Sequence, residues 1–336
     1  AALPHSVLRL LVGRTVRLDG QQLHVETQLA LRLLKLAGAP ELESLDVVAA
    51  RARVARDAAT FAGPRFDVLE ARDLSLQGAE GQLRARLYVP GTPSHPGAFL
   101  VYFHGGGFVV GDLDTHDNSC RFLASQAGVH VLAVDYRLAP EHRFPAAIDD
   151  AQAAFRDVVT RARELGADPS RIAVGGDSAG ANLAATVALG AARAGEPGPA
   201  MALLLYPWLD LTGKSRSYSL FRDGFYLTEA DLDWYRAHYL TSEEEAQDPR
   251  CSPALAGELS NAAPAYIATA GFDPLRDEGE AFAERLRAAG VPVALRRHAG
   301  LIHGFFNTVA IGHAGREAVL EAAGALRMGL AAARSD

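Results

Sequence analysis

The chain has 336 residues, of which 49% are hydrophobic and 22% are charged, and its net charge at pH 7 is −7. A chain of this length can bury a large core, as one α/β domain or as a domain with a smaller appendage. The acidic balance gives no indication of a nucleic-acid partner, and no apolar run approaches the roughly 20 residues of a membrane span. We therefore expect neither nucleic-acid binding nor membrane insertion.

The two cysteines, Cys120 and Cys251, have neither metal-ligand spacing nor the pattern of a disulfide framework. We therefore expect free thiols in a reducing compartment, and no bound metal. The first five residues lack the basic and apolar regions of a secretory signal. This predicts a cytoplasmic enzyme, with a signal removed before residue 1 as the alternative.

The first sixty residues have a helical pattern. Apolar residues from Val25 to Leu36 lie on one face of a helix that stops at Gly38-Ala39-Pro40, and a second helical run covers about residues 45–62. Because these helices precede any strand, they must cover something that is built later in the chain.

Apolar strands then alternate with helices. Strands are predicted at residues 66–71, 83–89, 98–103, 129–136, 171–175, 201–206, 264–270 and 291–298, and helices at residues 145–165, 181–194 and 277–289. Near-continuous apolar strands between helices are typical of a parallel sheet covered on both faces. The pattern predicts an α/β fold with a mostly parallel central sheet flanked by helices.

This alternation stops between residues 207 and 263. Residues 228–240 look helical, with Thr228 as the N-cap and acidic residues in the first turn. We expect residues 1–64 and 207–263 to form a helical cap. The catalytic core would then comprise residues 65–206 and 264–336, with no linker that separates two independent domains.

The segment around Ser178 predicts a nucleophile. Gly176-Asp177-Ser178-Ala179-Gly180 follows a predicted strand and precedes a helix, as the G-x-S-x-G elbow requires. The sharp turn holds its serine in a strained conformation, which needs small neighbours at the two glycine positions. Ser178 would stand above the sheet, at the positive end of the following helix.

His104-Gly105-Gly106-Gly107 directly follows the predicted strand at residues 98–103. Three glycines allow the backbone to approach a substrate closely with N–H groups free to donate. An acyl-transfer enzyme needs such donors for the developing oxyanion. We expect the N–H groups of Gly106, Gly107 and Ala179 to form this oxyanion hole, and His104 to be a structural hydrogen-bonding residue.

The base and its orienting carboxylate should follow the serine in the order acid, then histidine. Asp273 follows a predicted strand, whereas its neighbours Asp277 and Glu278 begin a helix, where capping suits them better. Of the later histidines, His303 is predicted in a loop, residues 300–305, from which it can reach Ser178. His303 would accept the serine proton, and Asp273 would orient the histidine.

Together these motifs resemble the hormone-sensitive-lipase-like esterases, bacterial family IV. The resemblance extends from residue 99 to residue 307 and is carried by HGGG at 104–107, YRLAPE at 136–141, GDSAG at 176–180, DPLRD at 273–277 and HGF at 303–305. It implies an α/β-hydrolase core, a cap made of the N-terminus and an insertion after the sixth strand, and hydrolysis of carboxylic esters.

The predicted function is a cofactor-free serine carboxylesterase that acts on a small-molecule ester through an acyl-enzyme. A cap that closes a pocket, lined by aromatic residues such as Phe108, Phe225, Trp234 and Tyr235, favours short to medium acyl chains. An amidase or aryl-acylamidase with the same triad stays open, as does a homodimer. A non-catalytic ligand receptor would need a degraded triad, and a nucleotide-binding protein would need a different glycine pattern.

Overall fold

The computed structural model describes residues 5–38, 40–310 and 312–332. Residues 1–4 of the predicted cap segment, Ala39 of the predicted helix break, and Ile311 and residues 333–336 of the predicted core lie outside the described residues. Two sheets are formed. A small hairpin pairs β1 (Arg17–Leu18) with β2 (Gln21–Gln22), and all other described strands belong to one sheet of eight.

The eight strands of the main sheet are β3 (Glu70–Gln77), β4 (Gln82–Val89), β5 (Phe99–Phe103), β6 (His130–Asp135), β7 (Ile172–Asp177), β8 (Ala202–Leu205), β9 (Ala265–Phe272) and β10 (Val293–Ile302). Their order across the sheet is β10-β9-β8-β7-β5-β6-β4-β3. All neighbours are parallel except the pairs β3–β4 and β4–β6. The predicted α/β fold with a mostly parallel sheet is confirmed.

The helices are α1 (His5–Val12), α2 (Val25–Ala37), α3 (Val47–Phe61), α4 (Asp117–Ala127), α5 (Ala146–Thr160), α6 (Ala179–Ala194), α7 (Arg216–Leu220), α8 (Glu229–Tyr239), α9 (Arg276–Ala288) and α10 (Ala314–Ala332). Apolar residues of α5, α6 and α9 pack on one face of the sheet, and those of α4 and α10 pack on the other. Strand side chains alternate between these two cores, as Val101 and Tyr102 of β5 show.

Several predicted elements differ from the observed ones. Strand β3 begins at Glu70, whereas the prediction began at Phe66, whose ring packs against Phe122 of α4 outside any strand. Helix α5 ends at Thr160, five residues before its predicted end. Helix α4 was not predicted, because its buried face includes polar residues such as Arg121, which interrupt the apolar pattern.

The predicted start of α8 is confirmed. The Thr228 side chain accepts the Asp231 N–H while the Asp231 carboxylate accepts the Thr228 N–H, so the two residues form a capping box.

In the N-terminal segment, Arg51 anchors α3 to the core. Its guanidinium donates to the carbonyl oxygens of Val109 and Ala139, both at 2.9 Å. No described helix has the length and apolar character needed to cross a membrane.

The prediction that Asp277 and Glu278 cap α9 is wrong. The Asp277 carboxylate accepts the N–H of Ser217 at 2.9 Å, and the buried Glu278 accepts the N–H of Leu209 at 2.6 Å. Burial raises the pKa of Glu278 well above its usual range. Both side chains therefore connect α9 to the segment that follows β8, where two backbone donors would otherwise be buried without partners.

We expect Glu278→Ala to lower the free energy of unfolding by about 2 kcal/mol, because it leaves the Leu209 and Asp210 N–H groups without an acceptor. The measurement is denaturant unfolding at neutral pH. Glu284→Ala, on the exposed side of the same helix, is the matched control and should change the free energy by less than about 0.5 kcal/mol. Equal losses in the two variants would contradict the anchoring role.

Candidate active site

The turn between β7 and α6 holds Ser178 in an unusual backbone conformation, with φ 55° and ψ −121°. A side chain at Gly176 would overlap the backbone of Gly180, and a side chain at Gly180 would overlap the carbonyl oxygen of Phe103. Both motif glycines are therefore required sterically. Ala179 begins α6, so its N–H is among those that have no acceptor within the helix.

Three side chains meet at the carboxyl end of the sheet. His303 Nε2 lies 2.9 Å from Ser178 Oγ, and His303 Nδ1 lies 2.8 Å from Asp273 Oδ2. Asp273 directly follows β9 and is fully buried, and its second oxygen accepts the N–H of Leu275 at 2.9 Å. The carboxylate is thereby held in one orientation, from which it accepts the Nδ1–H of the imidazole.

His303 comes from a shorter connection than predicted. Strand β10 continues to Ile302, so the predicted loop of residues 300–305 is strand in its first half and only His303 and Gly304 form a turn. The prediction ended the strand at His298, because Ala299 and Gly300 break the apolar run. The register of β10 against β9 shifts between His298 and Ile302, which accommodates these small residues.

The glycine loop after β5 lies beside the serine. Gly105, Gly106 and Gly107 line the same cavity as Ser178 and His303. Gly106 has φ 123° and Gly107 has φ 59°, a region that favours glycine. A side chain at Gly107 would overlap the ring of Tyr235 in α8. The loop is thus confined between the elbow and α8.

A buried network behind the elbow was not predicted from the sequence. Asp177 accepts hydrogen bonds from the Tyr102 hydroxyl at 2.6 Å, the Gly105 N–H at 2.8 Å and the Tyr206 hydroxyl at 3.2 Å, and His116 Nε2 lies 3.3 Å away. Burial acts to raise the pKa of Asp177, but His116 and these donors outweigh it and lower the pKa to about 2. The charged carboxylate links the glycine loop to the elbow.

His104, the first residue of the HGGG motif, is buried in the same region. Its ring stacks on Tyr136, and its Nδ1 lies 2.8 Å from the Gly105 carbonyl oxygen, so Nδ1–H donates. Burial lowers the pKa of His104 to about 4. A neutral histidine in this position supports the loop from below, as its predicted structural role requires.

The cavity above Ser178 measures about 130 Å³. Its wall includes Leu42 and Arg53 from the N-terminal segment and Tyr226, Leu232 and Tyr235 from the segment after β8. Of the predicted aromatic residues only Tyr235 lies on the wall. The other three do not line the cavity: the ring of Phe108 packs on Tyr239, that of Phe225 on Phe272, and that of Trp234 on His238. Periodicity alone did not distinguish packing aromatics from lining ones.

The described residues also form other grooves and contain side chains of the kinds that bind metals. A larger groove of about 530 Å³ is lined by residues of α5 and α6 and contains neither Ser178 nor His303. Within the described residues, no group of three or more histidine, cysteine, aspartate or glutamate side chains is arranged to hold a metal ion. Cys120 and Cys251 are buried free thiols.

Comparison with known proteins agrees with the observed fold. A family model described as alpha/beta hydrolase fold matches residues 100–307. The chain belongs to the α/β-hydrolase family. Its predicted likeness to the hormone-sensitive-lipase-like esterases is confirmed by curated relatives with esterase names.

The alignments with two of these relatives cover most of this hydrolase. It is 47% identical to the carboxylic ester hydrolase LipN of Mycobacterium tuberculosis, an alignment that covers 97% of this chain and 88% of the relative. It is 41% identical to an ethyl acetate hydrolase of Pseudomonas putida, over 79% of this chain and 84% of the relative. The hydrolase is a carboxylic ester hydrolase.

Solved structures show the same relationship. An ester hydrolase from the metagenome of Lake Arreo superposes with a TM-score of 0.88 at 40% identity and covers 91% of this chain and 98% of its own. The hyperthermophilic esterase of Pyrobaculum calidifontis superposes with a TM-score of 0.84 at 39% identity, over 89% and 96% of the two chains.

The Asp177 network leads to a stability prediction. We expect Tyr102→Phe to lower the free energy of unfolding at pH 7 by about 2 kcal/mol, because a buried carboxylate loses a short hydrogen bond. The pKa of Asp177 is lowered in the folded state, so this stabilisation is present above about pH 4 and is lost as the pH falls toward 2. Denaturant unfolding at pH 7 and at about pH 2.5 measures both effects. An unchanged stability at pH 7 would show that the remaining donors satisfy Asp177 on their own.

Proposed function

We propose that this esterase hydrolyses its substrates with Ser178 as nucleophile, His303 as general base and Asp273 as the residue that orients the base. The observation that supports the proposal best is the position of the His303 ring. Its Nε2 lies 2.9 Å from Ser178 Oγ, and its Nδ1 lies 2.8 Å from Asp273 Oδ2. Nucleophile, base and orienting acid thus have the mutual geometry that acyl transfer needs.

The proposed first step forms a covalent acyl-enzyme. Asp273 accepts the Nδ1–H of His303, which leaves Nε2 free to take the proton of Ser178 as Oγ attacks the ester carbonyl carbon. His303 then gives this proton to the departing alcohol. A water molecule, activated by the same histidine, hydrolyses the acyl-enzyme. Because His303 must be neutral to accept a proton, activity should rise with pH.

The oxyanion of each tetrahedral intermediate would be held by the N–H groups of Gly106, Gly107 and Ala179. This assignment is supported by the place of the two glycines on the cavity wall and by Ala179 at the start of α6, whose positive dipole end favours negative charge. Each such donor contributes about 3 kcal/mol to lowering the barrier.

We also propose that residues 1–64 and 207–263 form the cap, and residues 65–206 and 264–336 the catalytic core. Side chains from both proposed cap pieces, among them Leu42 and Tyr235, share the cavity wall with Ser178. A cavity of about 130 Å³ corresponds to roughly four water molecules. The substrates would therefore be esters of short to medium acyl chains.

The nucleophile is tested by a phosphonate ester, which should add one covalent group at Ser178 and abolish activity. Ser178→Ala and His303→Ala should each reduce kcat by about 10⁴-fold or more, and the double variant by about the same factor, because the triad acts as a unit. Mass spectrometry locates the adduct. Labelling at another serine, or additive losses in the double variant, would rule out the assignment.

The acyl preference is tested with p-nitrophenyl esters of increasing chain length. We expect kcat/KM to rise by up to about fourfold per methylene until the pocket is full, and to fall beyond about four to eight carbons. An anilide with the preferred acyl group serves as the amide comparison. Faster hydrolysis of long-chain triglyceride emulsions than of soluble butyrate esters would contradict the proposal.

A further inference from the structure

Two carboxyl groups face each other at the edge of the active-site cavity. Glu43 lies in a short 3-10 turn, Leu42–Ser44, which packs against α8, and Asp231 lies in the first turn of α8. Among the described residues, Glu43 Oε2 and Asp231 Oδ1 are shielded from solvent and meet no N–H or hydroxyl donor. The two side chains lie within hydrogen-bonding reach of each other, which requires one of them to hold a proton.

The orientation of Asp231 is set by its own helix. Its other oxygen, Oδ2, accepts the N–H of Thr228 at 3.0 Å and the Thr228 hydroxyl at 2.8 Å. The capping box therefore uses one oxygen and directs the other toward Glu43. A buried carboxylate oxygen without a donor is unfavourable, so a proton shared with Glu43 is the arrangement that satisfies both groups.

The surrounding charges do not supply another partner. Arg53 of α3 lines the same cavity, but it pairs with Asp57 at 3.5 Å and donates to the carbonyl oxygen of Pro40. Glu41, also on the cavity wall, adds a further negative charge. Tyr226 and Tyr235 also line this part of the cavity. Burial raises the pKa of the Tyr235 phenol, so this group is not charged near neutral pH.

Helix α8 connects this pair to the glycine loop. Tyr235 lies four residues after Asp231, one helical turn along the same face, and its ring covers Gly107 closely enough to exclude any side chain there. A shift of α8 away from Glu43 would therefore move the ring that confines the proposed oxyanion donor.

We propose that Glu43 and Asp231 share one proton and act as positioning residues, which hold α8, and through Tyr235 the glycine loop, in place above Ser178. This inference rests on the proposed roles of Ser178 and Gly107. Neither carboxyl group takes part in the chemical step.

The pair should respond to pH in a defined direction. Burial raises the pKa of Asp231 to about 6, against the hydrogen bonds from Thr228, and the nearby Glu43 carboxyl adds to the rise. The stabilisation by the shared proton is therefore complete below about pH 4 and is lost as the pH rises through about 6. Above that pH the two carboxylates repel each other.

Glu43→Gln tests the proposal, because the amide N–H of glutamine can donate to Asp231 at every pH. The quantity to measure is kcat/KM of the variant divided by kcat/KM of the wild type, since any pH dependence that the two enzymes have in common cancels. We expect a ratio of about one at pH 5.5 that rises to about threefold or more at pH 8, as the wild type alone acquires the repulsion.

Glu244→Gln is the matched control, because it removes the same charge from an exposed residue that follows α8 and does not line the cavity. Its ratio should stay flat with pH. A flat ratio for Glu43→Gln, or an equal rise for Glu244→Gln, would overturn the proposal.

Thermal unfolding provides a readout that does not depend on catalysis. The midpoint of Glu43→Gln should exceed that of the wild type by about 2 °C at pH 8 and equal it at pH 5.5. Equal midpoints at both pH values would also overturn the proposal. Failure of the proposed catalytic roles would be seen separately, as residual activity in Ser178→Ala or as phosphonate labelling elsewhere.

Discussion

The contact between the elbow and the end of β5 is the constraint on which the rest of the site depends. The backbone at Gly180 approaches the Phe103 carbonyl so closely that no side chain fits between them. This contact places the start of α6 against the strand that leads into the glycine loop. It also leaves Ser178 at φ 55°, a strained conformation that the surrounding sheet must maintain. Ser178 and the proposed oxyanion donors are therefore brought together by a single close contact between backbones.

Asp177 makes these two segments one unit. Its carboxylate is buried directly before Ser178, and it receives donors from the glycine loop and from β5. A buried charge persists only when its hydrogen bonds are satisfied, so the loop and the elbow cannot separate without exposing or stranding that charge. His303, the proposed general base, in contrast reaches Ser178 from the end of β10, the strand at the edge of the sheet. The side chain that is proposed to transfer protons is thus attached independently of this rigid unit.

The cavity is completed by segments far apart in the chain. Leu42 and Arg53 come from before the first strand of the main sheet, and Tyr226 and Tyr235 follow its sixth strand. Each segment is anchored by polar contacts to the core: Arg51 binds backbone oxygens near the glycine loop, and Glu278 binds backbone donors after β8. The Glu43–Asp231 pair lies where the two segments meet.

The sequence by itself determined the features that depend on local backbone chemistry: the G-D-S-A-G turn, the glycine loop, the N-cap at Thr228 and the alternation of strands and helices. It also predicted which aspartate and histidine meet Ser178, because parallel strands end at one edge of a sheet. The tertiary structure alone decided what depends on contacts between distant residues, such as the four partners of Asp177, the facing carboxyls of Glu43 and Asp231, and which aromatics line the cavity. The spacing of residues along the chain shows which face of a helix or strand is apolar, but not which distant residues pack against that face. The burial and the hydrogen bonds of a side chain depend on those distant residues.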